Sequence, residues 1–136
     1  MDAIQAEHRI DIRVYAEDTD FMGIVFHGNY LNFFERARTE MLRNNGLSLT
    51  MMAGYDTHFA IREVQLQYHT AARLDDMLTI TSQLNNIRAS SAEFTQVMHN
   101  QLNILLCTAT IQVVCVNQHL KPKRLPIEFF GGNKRG

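Results

Sequence analysis

The hydrophobic period of this chain switches at Thr57 from about 3.6 residues to 2, and it stays there. Between residues 29 and 45, Tyr30, Phe33, Phe34, Ala37 and Met41 recur at helical spacing and form one broad apolar stripe. Polar residues fill much of the remaining surface. The Arg36–Glu40 and Glu35–Arg38 spacings suit ion pairs along the helix. Asn44, Asn45 and Gly46 supply a stop signal. One strand precedes the helix at residues 9–15, with Ile10, Ile12 and Val14 on one face and Asp11 and Arg13 on the other. From Thr57 onward alternation takes over, over residues 58–69, 77–87, 92–100 and 104–117. Short turns between successive strands imply antiparallel pairing. One helix cannot cover both faces of a five-stranded sheet, so the order predicts an α+β layer pair in one domain spanning residues 1–136. A sheet edge or face left over is a reason to expect self-association.

Two local irregularities refine this plan. In residues 58–69 the apolar phase slips, with Phe59 and Ile61 on odd positions and Val64, Leu66 and Tyr68 on even ones. A slip of one residue predicts a bulge near Glu63. Residues 104–117 become apolar on both faces towards their end, as expected of a central or doubly covered strand. Residues 16–28 carry acids, two glycines and no sustained period, and read as a loop. Residues 48–53 suit one short helical turn, and residues 121–126 an exit tail.

Composition narrows the function classes. A net charge of −1 leaves no basic footprint for nucleic acid. The cations Lys121, Lys123, Arg124, Lys134 and Arg135 cluster in the tail and read as a solvated terminus. No run approaches the roughly 18 apolar residues of a spanning helix, and the N-terminus lacks the apolar region of a signal peptide. The reading is a cytoplasmic protein without membrane insertion. Cys107 and Cys115 fall on one face of one strand, roughly 26 Å apart, so they read as reduced packing residues rather than a disulfide.

Chemistry concentrates in residues 15–42, YAEDTDFMGIVFHGNYLNFFERARTEML. Asp18 and Asp20 share a loop that runs to the helix start, where unpaired N–H groups and a positive dipole end gather. One acid suits a general base or nucleophile; both also suit turn or capping roles. His27 suits a general acid/base or a polar residue at the helix N-terminus. A metal would need further ligands, and His58 and His69 lack ligand-like spacing. Gly23 and Gly28 read as backbone devices. Ser82, Ser90 and Ser91 sit in no G-x-S-x-G context, so serine hydrolase chemistry gains no support.

The arrangement Y-x-E-D-T-D-x-x-G-x-V-x-H-x-x-Y, followed by F-x-E-R-A-R-T-E-M-L, resembles the YbgC branch of the 4-hydroxybenzoyl-CoA thioesterase family. The match continues through Y-x-x-x-A-R-L-D-D-M-L from Tyr68, I-R-A-S-S from Ile87 and V-V-C-V from Val113. The resemblance implies the hotdog fold, a five-stranded antiparallel sheet wrapped around one long central helix. It implies an acyl-CoA thioesterase that needs no cofactor, CoA being part of the substrate.

By position, Asp20 matches the family's catalytic carboxylate, as nucleophile or as base for water. His27 matches the position near the thioester, with the N–H groups of His27 and Gly28 at the developing oxyanion. Tyr15 falls with the substrate-contacting residues and shapes the loop with Asp18. Arg88, Ser90 and Ser91 match a CoA-binding segment. Ala16 stands where some relatives carry tyrosine. Family sites lie between subunits, which implies a homodimer at minimum and a homotetramer as the common state. An accessory role among cell-envelope proteins, binding acyl-CoA with little turnover, is the alternative. A hotdog dehydratase fits less well, because no Pro-Gly follows His27.

Overall fold

Each stretch of alternating sequence forms a strand, and the 3.6-period stretch forms the one long helix. The computed structural model describes residues 7–126. Their order is β1 (Glu7–Arg13), α1 (Asn29–Asn44), α2 (Leu49–Gly54), β2 (His58–Tyr68), β3 (Met77–Asn85), β4 (Ser91–His99) and β5 (Leu105–Val116). The five strands make one antiparallel sheet in the order β1-β3-β4-β5-β2.

The helix stripe and the inner sheet face meet in one core. Tyr30, Phe33, Phe34, Ala37, Met41 and Leu42 are buried from α1. The sheet supplies Leu78, Ile80 and Leu84, then Ala92, Phe94 and Met98, then Cys107, Ala109, Ile111, Val113 and Cys115. Each set keeps strict period 2, so one face points at the helix. The opposite face is rich in threonine and glutamine. This is the hotdog arrangement, and the short helical turn expected at residues 48–53 forms as α2.

The boundaries carry physical reasons. The first strand ends at Arg13, yet Val14 continues the pairing, donating to Asp76 O at 2.9 Å and accepting from Asp75 N at 3.0 Å. The third strand stops at Asn85 because Asn86 turns to a φ of +50°. Ser48 caps α2, its hydroxyl accepting from Met51 N at 3.0 Å. The bulge falls where the phase slip puts it: the β2–β5 register shifts between Ile61 and Glu63.

Three expectations change. The helix ion pairs are not those spaced in the sequence. Glu40 pairs with Arg43, Arg36 lies over the Phe33 ring at 5.4 Å, and Arg38 turns inward to Gln96. The exit tail is also anchored rather than free: Lys123 N donates to Cys115 O at 2.8 Å and Leu125 N to Ala89 O at 2.8 Å. Lys123 is not simply solvated, since its ammonium caps the end of α2 through Tyr55 O and Asp56 O. Lys134 and Arg135 lie outside the described residues.

Candidate active site

The loop between β1 and α1 is folded by its own acids. Asp18 is buried. One carboxylate oxygen accepts from Tyr15 N at 2.9 Å, closing a short 3-10 turn over Ala16–Asp18, and the other accepts from Asn29 Nδ2 at 3.1 Å. Its carboxylate thus ties the loop entry to the first residue of α1.

Asp20 opens a tight turn. Gly23 N donates to Asp20 O at 3.0 Å and Asp20 N to Ile24 O at 2.9 Å. Gly23 has a φ of +80°, which an L side chain rarely adopts. The Asp20 Oδ1 accepts from Met22 N at 2.8 Å, and the other oxygen has no hydrogen bond among the described residues. The turn docks on the segment before β3 through Leu74 N to Gly23 O and Val25 N to Ala72 O. Phe21, Met22 and Tyr15 stand exposed around it.

His27 is exposed, its ring tilted against Phe26 at 4.4 Å between centroids. Gly28 is the N-cap residue of α1 and carries no side-chain cap, so the helix start is open. The N–H groups of His27 and Gly28 meet no acceptor among the described residues. The φ at Gly28 is −72°, which any residue adopts, so a side chain there meets only the exposed Phe26 ring. A Cβ there would lie 3.1 Å from the Phe26 ring.

Asp20 and His27 are not hydrogen-bonded to each other; both belong to the end of the sheet where β1 and β2 finish and β3 begins. Arg88, Ser90 and Ser91 belong to the opposite end, where β3 finishes and β4 begins. The nine residues of β3 separate the two ends by roughly 26 Å. Arg88 and Ser91 line a cleft of about 130 Å³, whereas Ser90 is used through its carbonyl, which accepts from Cys115 N. Among the described residues, no three His, Cys, Asp or Glu side chains gather as a metal site.

The sequence model of the thioesterase superfamily matches residues 22–107. The chain belongs to the thioesterase superfamily. Within it, the chain is 44% identical over 119 residues to the acyl-CoA thioester hydrolase YbgC of Escherichia coli O6:H1, covering 87% of this chain and 89% of that one. It is 39% identical over 120 residues to the acyl-CoA thioesterase YbgC of Haemophilus influenzae, covering 86% and 87%. A Bartonella henselae crystal structure, described as a probable thioesterase, matches with a TM-score of 0.85 at 34% identity, over 89% of this chain and 100% of that one.

Two clefts in this thioesterase lie along α1. The first, about 420 Å³, lies at the helix start and is lined by Asp18, Phe26, Gly28, Asn29 and Asn32; Asp20 does not line it. The second, about 480 Å³, runs between α1 and the sheet and is lined by Leu31, Leu42, Phe59, Ile61, Phe94 and Ile111, with Arg38 in its wall. Asn32 borders both.

Sequence reasoning missed a buried polar cluster beside the second cleft. The fully buried Gln96 accepts from Arg38 Nη1 at 3.1 Å and donates to Phe34 O at 3.0 Å and Ser82 Oγ at 2.9 Å. Burial lowers the Arg38 pKa, and Glu35 opposes that shift. The available signal was Gln96 standing in an otherwise apolar alternation with Phe94 and Met98.

Proposed function

We propose that Asp20 is the carboxylate with which this thioesterase hydrolyses acyl-CoA, acting as nucleophile or as base for water. The observation that carries the reading is the uncapped start of α1, with the N–H groups of His27 and Gly28 free to receive a developing oxyanion. Donors held in place before charge develops stabilise the transition state without reorganisation. The chain's similarity to the YbgC acyl-CoA thioesterases over most of its length supports the substrate class. Asp20 Oδ1 is anchored to Met22 N, which leaves the second oxygen for chemistry.

In the base route Asp20 takes a proton from water as its oxygen adds to the acyl carbon. The C–S bond then breaks and CoA leaves as thiol. In the nucleophile route a carboxylate oxygen of Asp20 attacks the acyl carbon, the C–S bond breaks and CoA leaves as thiolate to be protonated. Water then opens the mixed anhydride, releasing the acid and restoring the carboxylate. His27 is placed to assist with a proton. The acyl group runs from the helix start past Asn32 into the larger cleft, whose apolar lining suits it.

One copy is not the active unit in this reading. Arg88 and Ser91, with Ser90 in their turn, bind CoA at the end of the sheet away from Asp20, so a second copy brings them to the thioester. The edge strand β2 leaves Ile61, Val64 and Tyr68 exposed and offers the pairing surface. A homodimer is the minimum, and two such dimers form a homotetramer. Neither metal nor organic cofactor takes part.

Thiol release from a panel of acyl-CoA substrates tests the reading, comparing wild type with Asp20→Asn. A loss of about 100-fold or more fits a general base or nucleophile. Equal rates would remove Asp20 from the chemistry, and CoA binding without release in wild type would remove the enzyme reading.

A further inference from the structure

Arg62 is the residue that the β2 bulge leaves without a cross-strand partner, since Ile61 pairs with Val113 and Glu63 with Gln112. Bulges re-aim side chains. Here the bulge brings Arg62 to the same cleft of about 130 Å³ as Arg88 and Ser91, although they come from opposite sides of β5. Neither guanidinium has an ion-pair or hydrogen-bond partner among the described residues. An acid is within the cleft lining, yet it pairs with neither: Glu93 accepts from Asn86 Nδ2 at 2.7 Å.

The turn that carries Arg88 is held on three sides. Arg88 N donates to Ser91 O at 2.8 Å, Cys115 N to Ser90 O at 2.7 Å and Leu125 N to Ala89 O at 2.8 Å. Two guanidinium groups outnumber the one carboxylate in the lining of this small cleft, so it keeps a net positive charge that a bound anion would neutralise. A phosphate fits this demand better than a carboxylate, because its three oxygens can receive two guanidinium forks at once.

We propose that Arg62 and Arg88 together grip a phosphate of CoA, which makes Arg62 a substrate-binding residue of this thioesterase. The proposal rests on the acyl-CoA reading above and adds a residue from a second strand to it. The phosphate is either the 3′-phosphate or the diphosphate, and both present the same chemistry to the two arginines.

Calorimetric titration of the full chain with CoA, 3′-dephospho-CoA and pantetheine tests it. Arg62→Gln should weaken CoA binding by roughly three- to tenfold, leave pantetheine binding unchanged, and flatten the salt dependence of CoA binding. If the loss disappears with 3′-dephospho-CoA, the 3′-phosphate is the one held; if it persists, the diphosphate is. Arg62→Lys should retain part of the affinity, keeping charge without the fork. Equal CoA affinity in wild type and Arg62→Gln overturns the proposal, as does an equal loss for CoA and pantetheine. Because binding is read directly, an Arg62-dependent CoA site in a protein that releases no thiol would sink the catalytic reading alone.

Discussion

The hydroxyl of Tyr68, at the end of β2, donates to the backbone carbonyl of His27 at 2.9 Å. Because a peptide unit is planar, fixing that carbonyl also fixes the direction of the Gly28 N–H on the other side of the same bond. Tyr30 braces the arrangement, edge-on to Tyr68 at 5.1 Å and accepting from Ala72 N at 2.9 Å. Tyr68→Phe removes the donor and keeps the ring contact. The expected result is a three- to tenfold fall in kcat, on the order of one neutral hydrogen bond, with KM little changed. Steady-state kinetics check it; an unchanged kcat would mean that the Gly28 N–H needs no such support.

The two acids of the loop separate by what each holds. Asp18→Ala strips acceptors from Tyr15 N and Asn29 Nδ2 in a buried place, so it should cost about 1–3 kcal/mol of stability. Asp20→Asn keeps an oxygen for Met22 N and should leave stability within about 0.5 kcal/mol while activity collapses. Denaturant melts beside thiol-release rates distinguish them. A protein in which Asp18→Asn is the dead and stable variant would reassign the chemistry to the acid that lines the cleft at the helix start.

Gln96 on β4 links to α1 through two hydrogen bonds, with Arg38 and Phe34 O, and to β3 through a third, with Ser82. Gln96→Leu deprives the Arg38 guanidinium of its hydrogen-bonded partner and leaves Ser82 and Phe34 O without their donor. A loss of about 2–4 kcal/mol is expected. In Arg38→Met with Gln96→Leu, part of that loss should return, because no charge is left stranded. A double-mutant cycle by urea unfolding measures the coupling, and strict additivity would show that the two residues act independently.

The elements were legible because periodicity is a direct consequence of burial. Tyr30, Phe33, Phe34, Ala37 and Met41 mark the helix face, and one slipped phase places a bulge near Glu63, where the register shifts between Ile61 and Glu63. The inward course of Arg38 was not legible. Its side chain sits in the polar part of the helix pattern, and only the sheet's placement of Gln96 gives it a buried partner. The site was legible in part for the same reason. Asp18 and Asp20 look alike in a D-x-D pair, and the fold separates them by burying one against Asn29 and leaving the other half-buried on its turn, with one oxygen unbonded among the described residues. The two-arginine cleft depends on a register that no local pattern states.

Alkaline pH should destabilise the protein through its core thiols. Burial pushes the Cys107 thiol up to about 11 and raises Cys115, with Lys123 opposing the latter shift. Burial also raises the phenols of Tyr30 and Tyr68. A group whose folded pKa lies above its unfolded value stabilises the fold fully below the unfolded pKa, and that contribution is lost as pH rises through the folded one. For Cys107 the window runs from about 9 to about 11. Urea midpoints should therefore fall across that range, and Cys107→Ala should flatten the fall while lowering stability at neutral pH through the lost packing. At neutral pH both thiols should resist iodoacetamide until the chain is unfolded, since the reactive thiolate is disfavoured and access is blocked. Rapid labelling of the native protein, or a pH profile unaltered by Cys107→Ala, would remove the thiols from this account.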